Sequence, residues 1–98
     1  MLQTIRDAIQ TRKRLTITYD PGGRLVEPHC LGVGSDGQVL LRAFQVAGAS
    51  ASGEPAHWKL LRVDRIRQLR ATDETFDGPR PQYNPNDKAM TRGTIARL

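Results

Sequence analysis

The sequence predicts a mainly β (α+β) domain: an N-terminal helix, then a small, strongly bent antiparallel barrel of short strands, then a tail with a short helix. Three observations carry this. Unambiguous helical spacing of apolar residues occurs at the start, where Leu2, Ile5 and Ile9 follow i, i+3, i+7. From Leu15 the period becomes two, with Leu15, Ile17 and Tyr19 alternating with Thr16 and Thr18. Short β-branched and aromatic runs then alternate with glycine- and proline-rich connections, as in hairpins joined into one sheet.

In chain order, residues 1–14 form an amphipathic helix, with Ala8 beside the apolar stripe and Gln3, Arg6, Gln10 and Lys13 opposite. So short a helix is marginal alone, and its stripe must dock. Residues 15–19 are a strand. Asp20-Pro21-Gly22-Gly23 is a turn in which proline presets φ at one central position and glycine tolerates positive φ at the next. Residues 24–31 form a second strand, where Pro28 cannot donate to a ladder and so marks an edge or a bulge. Asp36-Gly37 tightens the turn at 32–37. Residues 38–46, with Val39, Leu40, Leu41, Phe44 and Val46, are the third strand. Residues 47–56 are a small-residue loop, expected to be mobile. Residues 57–63, around Trp58, Leu60 and Leu61, form the fourth strand. Residues 63–71 fit either a helix lined by Val63, Ile66 and Leu69 or a turn leading into a fifth strand. In the tail, Asn84 as N-cap, Pro85 at N1 and Asp87 near N3 predict a short helix ending by Gly93. Met90, Ile95 and Leu98 are then available to the body or to a partner. The organisation is thus helix 1–14, barrel 15–76 and tail 77–98.

A chain of 98 residues makes one domain, burying roughly two-thirds of its unfolded surface. With 38% hydrophobic and 26% charged residues the composition is globular, and the net charge is +5. Arg6, Arg12, Lys13 and Arg14 cluster against Asp7, and Lys59, Arg62, Arg65, Arg67 and Arg70 against Asp64. Residues 73–87 reverse the sign, with Asp73, Glu74, Asp77 and Asp87 against Arg80. Clustered cations suit a polyanion, because they release condensed counterions from phosphates, although a solvated surface that binds nothing has the same composition. Nothing resembles a membrane span or secretory signal, so a cytoplasmic protein without a membrane partner is expected. A single cysteine, Cys30, excludes a disulfide framework and a Cys-based zinc cluster.

Three blocks resemble a known family. Tyr19 followed by Arg24-Leu25-Val26-Glu27-Pro28-His29 and Leu31 is similar to the opening of the WYL domain. Gly37-Gln38-Val39-Leu40-Leu41-Arg42-Ala43-Phe44 resembles its signature strand, and Arg62-Val63-Asp64-Arg65-Ile66 with Leu69 its closing motif. Order and spacing agree over about residues 15–76. The resemblance implies an Sm-like barrel of about five strands, with a turn at 64–66 and a strand after it. It also implies a bacterial ligand-sensing regulator. Such proteins commonly carry the domain behind a winged helix-turn-helix, or act in phage defence or DNA-damage responses, and several bind nucleic acids or nucleotides through basic barrel residues. Two features depart from the pattern. Val39-Leu40-Leu41 stands where the family has Trp-Tyr-Leu, with Trp58 a partial substitute, and fourteen residues before the barrel cannot hold a helix-turn-helix.

Arg24, Arg42, Arg62 and Arg65 match family positions, and guanidinium forks converging on one barrel face would make an anion site. Arg62 or Arg65 could instead pair with Asp64 or Glu27 and pin the turn. Arg42 is the strongest candidate, because it lies between Leu40 and Phe44 on a buried-looking strand and a buried arginine needs an anion. His29 is placed as a hydrogen-bonding residue at the barrel mouth, and Cys30 as a small buried hydrophobe. Trp58 is suited to stack a base or to cap the core, and Tyr19 to reach a pocket with its hydroxyl. His29 and His57 lack further ligands for a metal, and Gly32, Gly34 and Gly37 are turn glycines rather than a phosphate loop. No cofactor is implied, and no catalytic constellation is legible. The expectation is a non-enzymatic sensor of a nucleotide or nucleic acid. The alternative is an adaptor in which 77–98 docks on a DNA-binding, helicase or nuclease partner, or on a second copy.

Overall fold

In the computed structural model, which describes residues 1–51, 53, 54 and 56–98, one helix, α1 (Leu2–Thr11), precedes the sheet. Its strands are β1 (Lys13–Tyr19), β2 (Gly22–Val33), β3 (Val39–Gly48), β4 (His57–Arg62), β5 (Gln68–Thr75) and β6 (Thr94–Arg97). A 3-10 turn, Val63–Arg65, joins β4 to β5. Helix α1 buries Ile5, Ala8 and Ile9 but leaves Leu2 exposed. It stops before residue 14 because Arg12 takes a left-handed conformation (φ 55°), and its amide caps the carbonyls of Ala8 and Ile9. Lys13 and Arg14 therefore begin β1.

The strand order is β4-β3-β2-β1-β5, all antiparallel, and β6 adds to β2. The barrel expected from the sequence is not closed: among the described residues β4 and β5 form no ladder with each other. The amide of Ile66 returns to the carbonyl of Val63, and that of Arg67 goes to Thr18. The chain is thereby led directly onto β1. Six strands replace the expected five, in an open sheet bent by bulges in β2. Pro28 sits beside one of them, pairing with β3 alone, because pairing with β1 ends at Val26 and pairing with β6 starts only at Cys30. Both alternatives hold: the strand is an edge at Pro28 and a bulge adjoins it.

Two local expectations are also corrected. The first turn is Asp20-Pro21, with a cis peptide bond, and Tyr19 pairs with Gly22, so both glycines are strand residues. No helix forms at 84–93. The Asn84 side chain accepts the amide of Asn86 (2.9 Å), and Asp87 accepts that of Ala89 (3.0 Å), so the expected capping residues close separate turns. The chain then leaves as β6, because the uncovered edge of β2 offers ladder partners that a short tail helix would lack. In the 47–56 loop, Ala47 and Gly48 finish β3, and Ser52 and Pro55 lie outside the described residues.

The middle of the sheet, at β2 and β3, is covered on both faces. Inside, α1 packs on Leu15, Ile17, Val26, Leu41 and Leu61. The tail covers the other face of β2 and β3, where Met90 joins Cys30 and Leu40 with Tyr83 and Ala89 alongside. Residues 26–32 are consequently buried throughout and show no alternation. Gly48, at φ 105°, allows β3 to cross β2 closely, since a Cβ there would meet the Gly23 carbonyl.

Candidate functional site

Six of the seven residues singled out from the sequence fall into two groups rather than on one face, and Arg65 stands apart from both. Arg42, His29 and Trp58 lie under the tail, whereas Tyr19, Arg24 and Arg62 gather at the end of the sheet near the first turn.

Arg42 has its anion inside the chain: Nε and Nη2 donate to the two oxygens of Asp87, at 2.8 and 3.2 Å. Burial opposes ionisation of Asp87, but bonds from Arg42 and the Ala89 amide outweigh it and lower its pKa. His29 is fully buried, its Nδ1 2.8 Å from the Glu27 carbonyl and its Nε2 3.1 Å from the Arg80 amide. These partners select the neutral tautomer with the proton on Nδ1. Burial, its largest influence, lowers the pKa of His29. Its ring stands edge-on to Trp58 (4.6 Å) and Tyr83 (5.2 Å) and stacked on Phe76 (5.7 Å), so His29 is an aromatic core residue rather than a group at an open mouth. Trp58 donates to the Pro81 carbonyl at 3.1 Å.

Below this face lies a charge cluster that the sequence pattern did not reveal. Glu27 is fully buried. Arg14 Nε donates to Oε2 (2.9 Å), while Arg80 Nε and Nη2 reach Oε1 and Oε2 at 2.7 and 3.1 Å. Burial raises the Glu27 pKa, but the two guanidiniums more than offset it and hold the carboxyl below its usual range. The sequence suggested Glu27 as a partner for Arg62 or Arg65. It serves Arg14 and Arg80 instead, because its strand turns that side chain toward the chain entering β1 and the chain leaving β5. Cys30 is inert by its surroundings, with burial pushing the thiol pKa up.

At the other end, Arg24 is buried with no carboxylate in ion-pair range among the described residues. Its donors meet the carbonyls of Tyr19 and Asp20 and Oε1 of Gln45, and its guanidinium lies 5.0 Å from the Tyr19 ring centre. It thus holds the first turn together. Arg62 forms a bidentate pair with Asp64 (3.2 and 2.9 Å), and its amide donates to the Tyr19 hydroxyl (3.2 Å). Arg65 is exposed and makes no ion pair among the described residues. Arg24 and Arg42 cannot converge, because Gln45, which Arg24 touches, and Arg42 point to opposite faces of β3.

A groove of about 860 Å³ crosses the outer side of β5, β1, β2 and the end of β3. Thr16, Thr18, Gln68 and Arg70 supply its polar wall, Leu25 an apolar one, and Gly23, Ala47 and Gly48 an open floor. The register aligns Thr16 with Arg70 and Thr18 with Gln68. Arg70 lines this groove; Arg65, in the 3-10 turn, and Arg67, just before β5, are exposed as well, and none of the three makes an ion pair among the described residues. Arg67 and Arg70 belong to the basic cluster visible in the sequence. Singling out Arg70 needed the strand at 68–75, where period-two alternation sets Gln68 and Arg70 on one side.

A family model of the WYL domain matches residues 1–71. The chain belongs to the WYL domain family. WYL domains are generally regulatory, ligand-sensing domains. In this WYL domain the match ends within β5, so Arg80, Tyr83, Asp87, Met90 and β6 all lie beyond it. No curated protein and no solved structure matches the chain. Among the described residues no helix is long and apolar enough to cross a membrane, and no cluster of His, Cys, Asp or Glu could hold a metal ion.

Proposed function

We propose that this WYL domain is a non-enzymatic ligand-sensing regulator whose ligand is a nucleotide or a nucleic-acid strand, bound in the β5–β1–β2 groove. One observation carries the reading: the exposed Arg70, without an ion pair among the described residues, lines a groove with Thr16, Thr18 and Gln68, and the exposed Arg65 and Arg67 lie just before it in the chain. The internally neutralised Arg42 and Arg62 lie elsewhere. Phosphates would meet the arginine edge, and the threonine and glutamine groups would receive sugar or base edges. Binding led by about three phosphate contacts falls with salt, with a log–log slope of about −2 for a single strand.

Anisotropy with a labelled single-stranded oligonucleotide, titrated across salt, tests this. Wild type is expected to show that slope, and the R65A/R67A/R70A variant to lose most of its affinity. R62A, which removes a guanidinium already paired with Asp64, changes little. Equal binding by wild type and the triple variant at every salt concentration overturns the proposal. The adaptor reading loses its motivating feature: Met90 is 6% exposed, and Ile95 and Leu98 pack against the inner core.

A further inference from the structure

We propose that Arg42 and Lys88 form a second anion site, separate from the groove, in which Asp87 stands in for the phosphate of a mononucleotide whose planar ring lies against Trp58. Arg42 stands on the signature strand inside the family match, whereas Asp87 stands on the segment beyond it. The carboxylate takes both guanidinium donors, as a phosphate does. Beside it opens a cavity of about 250 Å³ lined by Arg42, Trp58, Tyr83, Asn84 and Lys88, with Gln82 at the wall. A nucleobase and its phosphate match those walls: an indole ring, side-chain amides and two cations. Lys88 has no acidic partner among the described residues. Gln82 is held at φ 72°. Arg12, the other non-glycine residue at positive φ, ends a helix, but Gln82 ends none, and such conformations concentrate at ligand clamps.

Asp87 is also placed to leave. It sits in a run of turns between two anchors: the Glu27–Arg80 cluster before it, and Met90 with β6 after it. The arginine is 28% exposed at its side chain, so an incoming phosphate can approach before the carboxylate has gone. A ligand that must displace an internal anion binds more weakly by the fraction of time the site is open. Removing the carboxylate should therefore raise affinity, where a merely structural ion pair would yield only lower stability.

The test is calorimetry at constant ionic strength with adenosine 5′-monophosphate and, separately, inorganic phosphate, on wild type, D87N and R42A/D87N. Fluorescence of Trp58, the only tryptophan, is read in parallel. D87N is expected to bind the nucleotide at least tenfold more tightly than wild type, with quenching of Trp58. R42A/D87N should lose that gain, and K88A, at an exposed position that cannot disturb folding, should weaken binding several-fold. The gain caused by D87N should persist in an R65A/R67A/R70A background, whatever that background does to binding in the groove, which separates failure here from failure of the groove reading. A folded D87N that binds no more tightly than wild type overturns the proposal. Equal gains for phosphate and nucleotide, with unchanged fluorescence, overturn the assignment of a planar ring.

Discussion

Replacing Glu27 by glutamine is expected to lower stability by about 3 kcal/mol, a large share of the roughly 5–15 kcal/mol that holds such a domain together. The carboxylate is fully buried and accepts from both Arg14 and Arg80. Glutamine keeps the shape but offers one acceptor oxygen and turns an NH₂ group toward guanidinium donors. Arg14 and Arg80 stay partly hydrated, which keeps the loss at the low end for a broken buried pair. E74Q, which removes the exposed partner of Arg14, should cost under about 1 kcal/mol. Urea midpoints of the three proteins decide the matter, and equal losses for E27Q and E74Q would sink this account.

The same cluster sets the response to acid. Glu27 and Asp87 have folded pKa values below their usual 4.5 and 3.8, so their contribution is complete above those values and is lost as pH falls below them. His29 acts earlier. Its folded pKa is depressed from 6.5, so below that pH the unfolded chain binds a proton that the native ring refuses. Stability therefore begins to fall below about pH 6.5 and falls again below about pH 4.5. E27Q should flatten much of the second decline and leave the first.

Deletion of residues 77–98 is expected to abolish cooperative folding rather than to release a partner. The deletion takes Arg80 from Glu27 and His29, Asp87 from Arg42, Met90 from Cys30 and Leu40, and β6 from β2. The lost ion pair at about 3 kcal/mol and a buried methionine at about 2–5 kcal/mol together approach the whole stability of a small domain. The truncated chain should bind a hydrophobic dye and show no urea transition. A truncated chain that still unfolds cooperatively near the full-length midpoint would contradict this placement of the tail.

Local patterns in the sequence located α1 through its i, i+3, i+7 stripe and β1 through Leu15, Ile17 and Tyr19. The three family blocks resolved the ambiguity at 63–71 into a turn and a strand. Features that depend on distant partners were not legible. Asn84, Pro85 and Asp87 have the local chemistry of a helix start, but the Asp87 carboxylate is claimed by Arg42, 45 residues away. The need of Arg42 for an anion was readable from its apolar neighbours; that the anion is internal was not. The candidate arginines were grouped by family position, and strand alternation then sent Arg24 and Arg42 to opposite sides. Closure of the barrel could not be judged from strand count, because it depends on whether β5 approaches β4, and the 3-10 turn carries β5 to β1.

The double covering of β2 leaves one stretch of this chain closed to drift. Between Val26 and Gly32 no side chain faces water, so the freedom that a half-buried strand normally gives on its outer side is absent. A larger residue at Gly32 would meet Met90 and the Gly93 carbonyl, and a smaller one at Leu31 would open a void beneath α1. The segment beyond the family match and the domain itself are therefore bound to vary together through this one strand.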